Sequence, residues 1–329
     1  MNGPRSLVIV ADDLGIGPAT THGILHLATF GKVTGTVLLV NSPHADEAVR
    51  AWRRAGGPQL VDLGWHACLT LDRPILPVDR VRSLVSEDGS FLSLARFVTR
   101  LVVGRVRLEE VRAELQAQYD RFIELAGRPP ALVNGHHHIQ VFPGIGRVLL
   151  DVLARQQPLP YVRRVRETIP MLAAIPRSRL KRAVLATLGR RFIQQQQKRG
   201  FPGNDFLAGV SDPRGLTRTR RGKEDNLLVR WLTQVPGRVV ELVCHPGHHD
   251  ETLDGRDAIT HLSSLTWGLS PPAHASARVR ELELLEQTDL EAVGRSAGFR
   301  LTAPLWLAGY GNRLAVLAAT ASAPARTAG

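Results

Sequence analysis

Cysteine is nearly absent: Cys68 and Cys244 are the only two among 329 residues. They form no C-x-x-C pair and no disulfide framework, which favours a reducing, cytoplasmic setting. Long apolar runs are missing too, so no stretch reads as a membrane span. The first apolar run, Leu7 to Ala11, holds five residues, too few for the core of a signal peptide. There is no internal repeat, no glycine-rich phosphate loop and no G-x-S-x-G elbow. Acid is scarce in one place. Between Arg163 and Lys223, sixteen lysines and arginines meet only Glu167, Asp205 and Asp212. The whole chain carries a formal net charge of +12, so the remainder is near neutral. Such a block suits an anionic surface, nucleic acid or lipid headgroups; the plainer reading is a solvated, arginine-rich face.

What is present alternates. Leu7–Ala11, Val33–Val40, Leu60–His66, Ala131–Val133, Tyr161–Arg163 and Val239–Cys244 read as short strands. Helical stretches at Thr21–Phe30, Asp46–Ala55, Leu108–Ala126, Ile145–Gln157 and Ala277–Gln287 lie between or after them. This βα alternation predicts a parallel sheet. The length admits one large α/β domain or two smaller ones and is ample for a core. Residues Ala315–Gly329, alanine-rich with Ser, Thr and Pro, read as a frayed tail.

Four of these strands end on Asp or His. In barrels and open α/β sheets the site lies at that edge, so the four islands can converge. Convergence from many strands favours a closed or nearly closed β/α barrel. Asp12-Asp13 follows the first strand. Neighbours on a strand face opposite ways, but a turn at the strand end brings both to the mouth; a helix N-cap is the structural alternative. His66 and Cys68 share one strand face. In Asn134-Gly135-His136-His137-His138, alternation puts His136 and His138 on one face and His137 on the other, so the three cannot all bind one ion. His245 closes the last strand and suits a general acid or base, whereas His248 and His249 read as a solvated loop. Cys68 and Cys244 lie beside site histidines, which raises a thiolate ligand; the reading kept is that of small buried hydrophobes. One Asp and two His would leave metal positions open for water and substrate, the pattern of a hydrolytic centre.

Together these islands resemble the YdjC/ChbG family of carbohydrate deacetylases, which remove N-acetyl groups from amino sugars. The resemblance runs through Val10–Gly15, Gly23-Ile24, Gly31–Thr36, Gly64-Trp65-His66 with Leu69-Thr70, Asn134–His138, Val162-Arg163, Glu241–Gly247 and Arg280-Glu281-Leu282, in the family's order over most of residues 6–300. It implies a deformed TIM-like (β/α) barrel related to polysaccharide deacetylases. It also implies one divalent metal ion, magnesium or zinc, on Asp13, His66 and His136. By the same resemblance Asp12 falls where the base is expected and His245 at a His-Pro beside the site, where it would serve as the acid; Asn134, His138 and Arg163 are expected around ligands or substrate. Leu14 replaces a usual Phe, Asn134 a frequent Asp, and Gln140 a frequent His. A single domain is expected over residues 1–300, with a basic insert at about 163–223 and a C-terminal extension over 301–329.

The activity so implied is metal-dependent hydrolysis of an N-acetyl sugar amide. A metal phosphoesterase on a similar barrel is one alternative; it would want a second metal and more carboxylates. A non-catalytic binder of an anionic surface through Arg163–Lys223 is another, and docking beside a lipid-linked sugar at a membrane periphery would join it to catalysis. Nucleic acid is not the favoured partner, and a homodimer is a family-level expectation only.

Overall fold

The computed structural model describes residues 5–169, 179–209, 217–220, 223–248, 250–253, 256 and 271–308. His249 and the tail at 309–329, both singled out in the sequence, lie outside the described residues, as does part of the basic insert.

The first strand, β1 (Arg5–Leu14), sits at the centre of the sheet because its apolar run can be buried on both faces: Leu7, Val8, Ile9 and Val10 have no exposure. Around it are β2 (Gly35–Leu38), β3 (Asp62–Ala67), β4 (Leu132–Gly135), β5 (Tyr161–Val162), β6 (Phe206–Ala208), β9 (Val239–Cys244) and β10 (Phe299–Leu301). The order is β5-β4-β3-β2-β1-β9-β6, with β10 pairing the start of β1, and every pairing in this sheet is parallel. A separate antiparallel hairpin joins β7 (Thr217–Arg220) to β8 (Lys223–Asn226).

The sheet curls into a deformed barrel, as the sequence implied. Its two edges meet without a regular ladder. Val162 N donates to Pro202 O at 2.8 Å, Leu207 N to Arg166 O at 2.7 Å, and Arg164 N to the Asn204 side chain at 2.7 Å. Arg164 and Asn204 are both buried at this seam. Polar side chains thus satisfy backbone groups where the strands fail to pair.

Helices α1 (Pro18–Thr29), α2 (Ala45–Arg54), α3 (Leu94–Val102), α4 (Leu108–Ala126) and α5 (Ile145–Leu153) cover the outside. Trp52, Leu115, Phe122 and Leu149 fill the core between helices and sheet. The long helix α4 starts on Glu109 and Glu110, favourable charges at a helix N-terminus, and stops at Gly127, whose φ of 73° suits glycine. Within the basic insert, α6 (Arg179–Lys198) buries Leu185, Phe192 and Ile193. Leu185 joins Val141, Val165, Leu207 and Val243 in one cluster. The block is therefore not one charged face. Arg163 and Arg164 are internal, Arg199 pairs with Asp151 at 2.6 Å, and Arg166 lies over the Phe206 ring at 4.8 Å. The chain closes through α7 (Leu227–Gln234), α8 (Pro271–Gln287), α9 (Leu290–Ser296) and α10 (Pro304–Leu307).

Candidate active site

All four sequence islands reach the C-terminal edge of the sheet, and each arrives by its own local device. At the end of β1 the register with β2 shifts between Ala11 and Leu14, and Asp13 takes a left-handed φ of 68°. This bulge turns both Asp12 and Asp13 inward, where a regular strand would separate them. Asp13 is not a glycine, so the conformation is strained and held by its bonds.

Beta strand β3 delivers His66. Gly64 lets β3 approach β4: a Cβ there would lie 2.3 Å from Leu132 O. Beyond His66 the chain is gripped by α4. Gln118 accepts from Cys68 N at 3.0 Å and donates to Cys68 O at 2.6 Å, while Glu114 accepts from Ile75 N and Leu76 N.

After β4 the expected alternation fails. His136–Val141 winds into a 3-10 turn, with His137 at φ 54° and His138 at φ 57°. The shared strand face assigned to His136 and His138 is therefore replaced by a kinked turn. It needs Gly135, where a Cβ would stand 2.6 Å from Gln140 Oε1. His136 enters the site; His137 Nδ1 pairs with Thr70 Oγ1 at 2.9 Å; His138 is buried in the turn.

Asp13 Oδ1, His66 Nε2 and His136 Nδ1 converge. Each nitrogen is 3.2 Å from the oxygen, and the nitrogens are 3.3 Å apart. Asn134 sets the tautomer of His66. Its Nδ2 donates to Asp12 Oδ1 at 3.0 Å, so its Oδ1 faces His66 and accepts from Nδ1–H. The Nε2 lone pair of His66 then points at Asp13 and His136. At these separations the three atoms can share protons or bind a cation placed among them. The pocket's charge agrees: burial lowers the His66 pKa, but the Asp13 bond and the charges of Asp12 and Asp13 outweigh it and raise it. One carboxylate and two imidazoles are a donor set suited to a divalent ion, so the residues fit the expected metal. They are also the only such group of three among the described residues.

Asp12 lies beside the triad. Arg163 Nη2 donates to Asp12 Oδ1 at 2.8 Å and Nη1 to Oδ2. Burial would raise the Asp12 pKa, yet the charges of Arg163 and His66 and the Arg163 bonds hold it down at about 2. His245 Nε2 is 3.9 Å from Asp12 Oδ2, and the His245 side chain is 28 % exposed at the mouth. Partial burial lowers its pKa against the charges of Asp13 and Asp12, which raise it. Cys68 and Cys244 do not become thiolates: burial pushes Cys68 up to about 12 and Cys244 well above its usual range.

Three contributors escaped the sequence reading of roles. Arg278, from α8, donates to Asp13 Oδ2 at 2.6 Å, leaving Oδ1 to the triad. Glu241, in β9, accepts from Arg163 Nε and from Tyr161 OH. Glu281 accepts from His245 N at 3.0 Å. Only Glu241 carried a local signal, a charge inside an apolar strand; Arg278 looks like any helix-surface arginine.

Residues 6–295 match the family described as YdjC-like protein. The chitooligosaccharide deacetylase of Escherichia fergusonii is 33% identical over 303 residues, 90% of this chain and 97% of that protein. The carbohydrate deacetylase of Mus musculus is 41% identical over 148 residues, 45% of this chain and 46% of that one. The match thus spans about half the length of the mouse relative. A crystal structure from Enterococcus faecalis V583, of a protein provisionally named for cellobiose-phosphate cleavage, has a TM-score of 0.69 at 25% identity, covering 93% of this chain and 99% of that one.

Proposed function

Since the chain belongs to the family of YdjC-like proteins, we propose that it is a metal-dependent carbohydrate N-deacetylase, hydrolysing the acetamide of an N-acetylated amino sugar or oligosaccharide. The observation that carries this reading is the convergence of Asp13, His66 and His136 beside Asp12 and His245. The names of relatives support the substrate class, since a chitooligosaccharide deacetylase aligns over nearly its full length.

Asp13, His66 and His136 would hold one divalent ion, magnesium or zinc. When bound, such an ion polarises a carbonyl and acidifies water. Asp12 takes the proton of the attacking water, and Arg163 and Asn134 keep its oxygens oriented. His245 gives a proton to the nitrogen as the C–N bond breaks. His245 must first receive that proton from Asp12, whose Oδ2 is 3.9 Å away, so the two have to close to hydrogen-bond distance during the reaction. Asn134 keeps the His66 tautomer fixed throughout. The products are acetate and a free amino sugar.

The phosphoesterase alternative wants a second metal, and the described residues offer one ligand triad. The reading extends to a cytoplasmic protein whose one barrel domain covers residues 1–300. Metal analysis joined to an acetate-release screen over N-acetylated mono-, oligo- and lipid-linked sugars tests it. Release should depend on the ion and stop on chelation. Metal-loaded protein that leaves every N-acetyl sugar intact would overturn the reading.

A further inference from the structure

Glu241 is a carboxylate where the strand calls for an apolar residue. Its neighbours Val240 and Leu242 face the helices and pack in the main core, while Glu241 faces the barrel interior with no exposure. A buried charge there is retained only if it is fully bonded. Glu241 is: Oε2 accepts from Tyr161 OH at 2.8 Å, and Oε1 accepts from Arg163 Nε. Tyr161 and Arg163 stand two residues apart at the end of β5, so both reach inward from one face. Strands β5 and β9 are not neighbours in the sheet. The carboxylate therefore bridges the interior from one strand to the other.

The geometry of Arg163 gives this bridge a consequence. A guanidinium is a flat fork. Its two terminal nitrogens are spent on Asp12 Oδ1 and Oδ2, and its Nε on Glu241. A fork held only at its tips can pivot on the carboxylate it grips. Pinning Nε fixes its plane, and the plane of the Asp12 carboxylate with it. We propose that Glu241 is a positioning residue, which through Arg163 aims the Asp12 carboxylate at the reacting water, and that Tyr161 holds Glu241 in turn. This rests on the deacetylase reading in which Asp12 is the base. A Glu241 that merely ties β5 to β9 would affect the amount of folded protein and leave turnover per folded molecule alone.

The test uses Glu241→Gln, which keeps size and one acceptor, and Tyr161→Phe. In folded, metal-loaded Glu241→Gln, kcat should fall about 10- to 100-fold, the range for groups that orient catalytic side chains, with KM within about twofold of the parent. Tyr161→Phe should fall less, and the double variant no further than Glu241→Gln, because Tyr161 acts through Glu241. A wild-type kcat in folded Glu241→Gln overturns the proposal. If that variant does not fold, Tyr161→Phe decides, and unchanged kcat in it also overturns the proposal. A second readout needs no substrate: the 15N–1H resonance of Arg163 Nε–H, assigned by its loss in Arg163→Lys. It should be protected from solvent exchange in the parent and exchange faster in Tyr161→Phe and Glu241→Gln; identical exchange in all three refutes the clamp. A parent protein that releases no acetate sinks the deacetylase reading, while this resonance still judges whether Glu241 holds Arg163.

Discussion

The two edges of the sheet use polar side chains in opposite ways. At the N-terminal edge they serve the backbone. Asp205 Oδ2 accepts from Arg238 N and Val239 N, Thr34 Oγ1 from Ile9 N, Asp62 Oδ2 from Leu305 N, and Arg5 Nε donates to Gly237 O. Each side chain ends a strand or fastens a loop and stops there. At the C-terminal edge side chains bond side chains in an unbroken series. Tyr161 leads to Glu241, then Arg163, Asp12, Asn134, His66, Asp13 and Arg278. Five strands and one helix supply this series, so no local segment specifies it. The floor is built to hold the fold, and the mouth is built to hold charges in fixed relation.

The largest effects should come from breaking the mouth where the series crosses the triad. His136→Ala or Asp13→Ala should leave the helix and strand content by circular dichroism intact while stoichiometric metal and all acetate release are lost. Retention of one equivalent of ion in both variants would remove the triad from the argument. Asp12→Asn probes the next link. It should keep the ion yet lower kcat by about 10²- to 10⁴-fold, the span for a lost general base. If metal and turnover disappear together, Asp12 belongs to the ligand set and the division of labour between the two aspartates fails.

The contrast between the edges also explains what a sequence can show. Asp12, Asp13, His66, His136 and His245 were legible because each ends an apolar strand, and strand ends share one edge in a parallel sheet. A parallel β/α barrel was legible from the same alternation, and its deformed form from the family resemblance. The histidine triplet was placed on a strand because its apolar lead-in reads that way. Its 3-10 turn depends on Gly135 fitting against Gln140, a contact that periodicity does not encode. Helix α6 hid inside a run of arginines whose charge masked Leu185 and Phe192. Arg278 lies 265 positions from its partner Asp13, with no local pattern to join them. The departures from family habit had mixed consequences. Asn134 still performs both bonds, accepting from His66 and donating to Asp12.

That double role makes Asn134 a finer probe of the mouth. Asn134→Ala removes the acceptor that keeps the proton on His66 Nδ1 but leaves all three ligands. Zinc affinity measured by competition with a chelator should weaken by about 10- to 100-fold, the usual effect of deleting a partner of a ligand histidine. Stoichiometry should stay at one. Unchanged affinity would mean that packing alone orients His66.

At the floor the smallest functional effect is expected, and it can be read as stability. Burial raises the pKa of Asp62 to about 6, against the hydrogen bond from Leu305 N and the charge of Arg128, which lower it. The native state therefore holds this proton where the unfolded chain has released it. Stability is fully present below the ordinary carboxylate range and falls as pH rises from about 4 to about 6. Asp62→Asn keeps an acceptor for Leu305 N and cannot ionise. Its unfolding free energy should lose that decline and, at pH 7, exceed the parent's by on the order of 1 kcal/mol, since the new amide hydrogens need partners of their own. Metal affinity and kcat should not change. Denaturant midpoints at pH 4 and pH 7 check the sign: a variant that tracks the parent at both would show that Asp62 ionises freely in the native protein. A variant that also lost metal would break the separation of the edges, because a backbone fastener at the floor would then be speaking to the mouth.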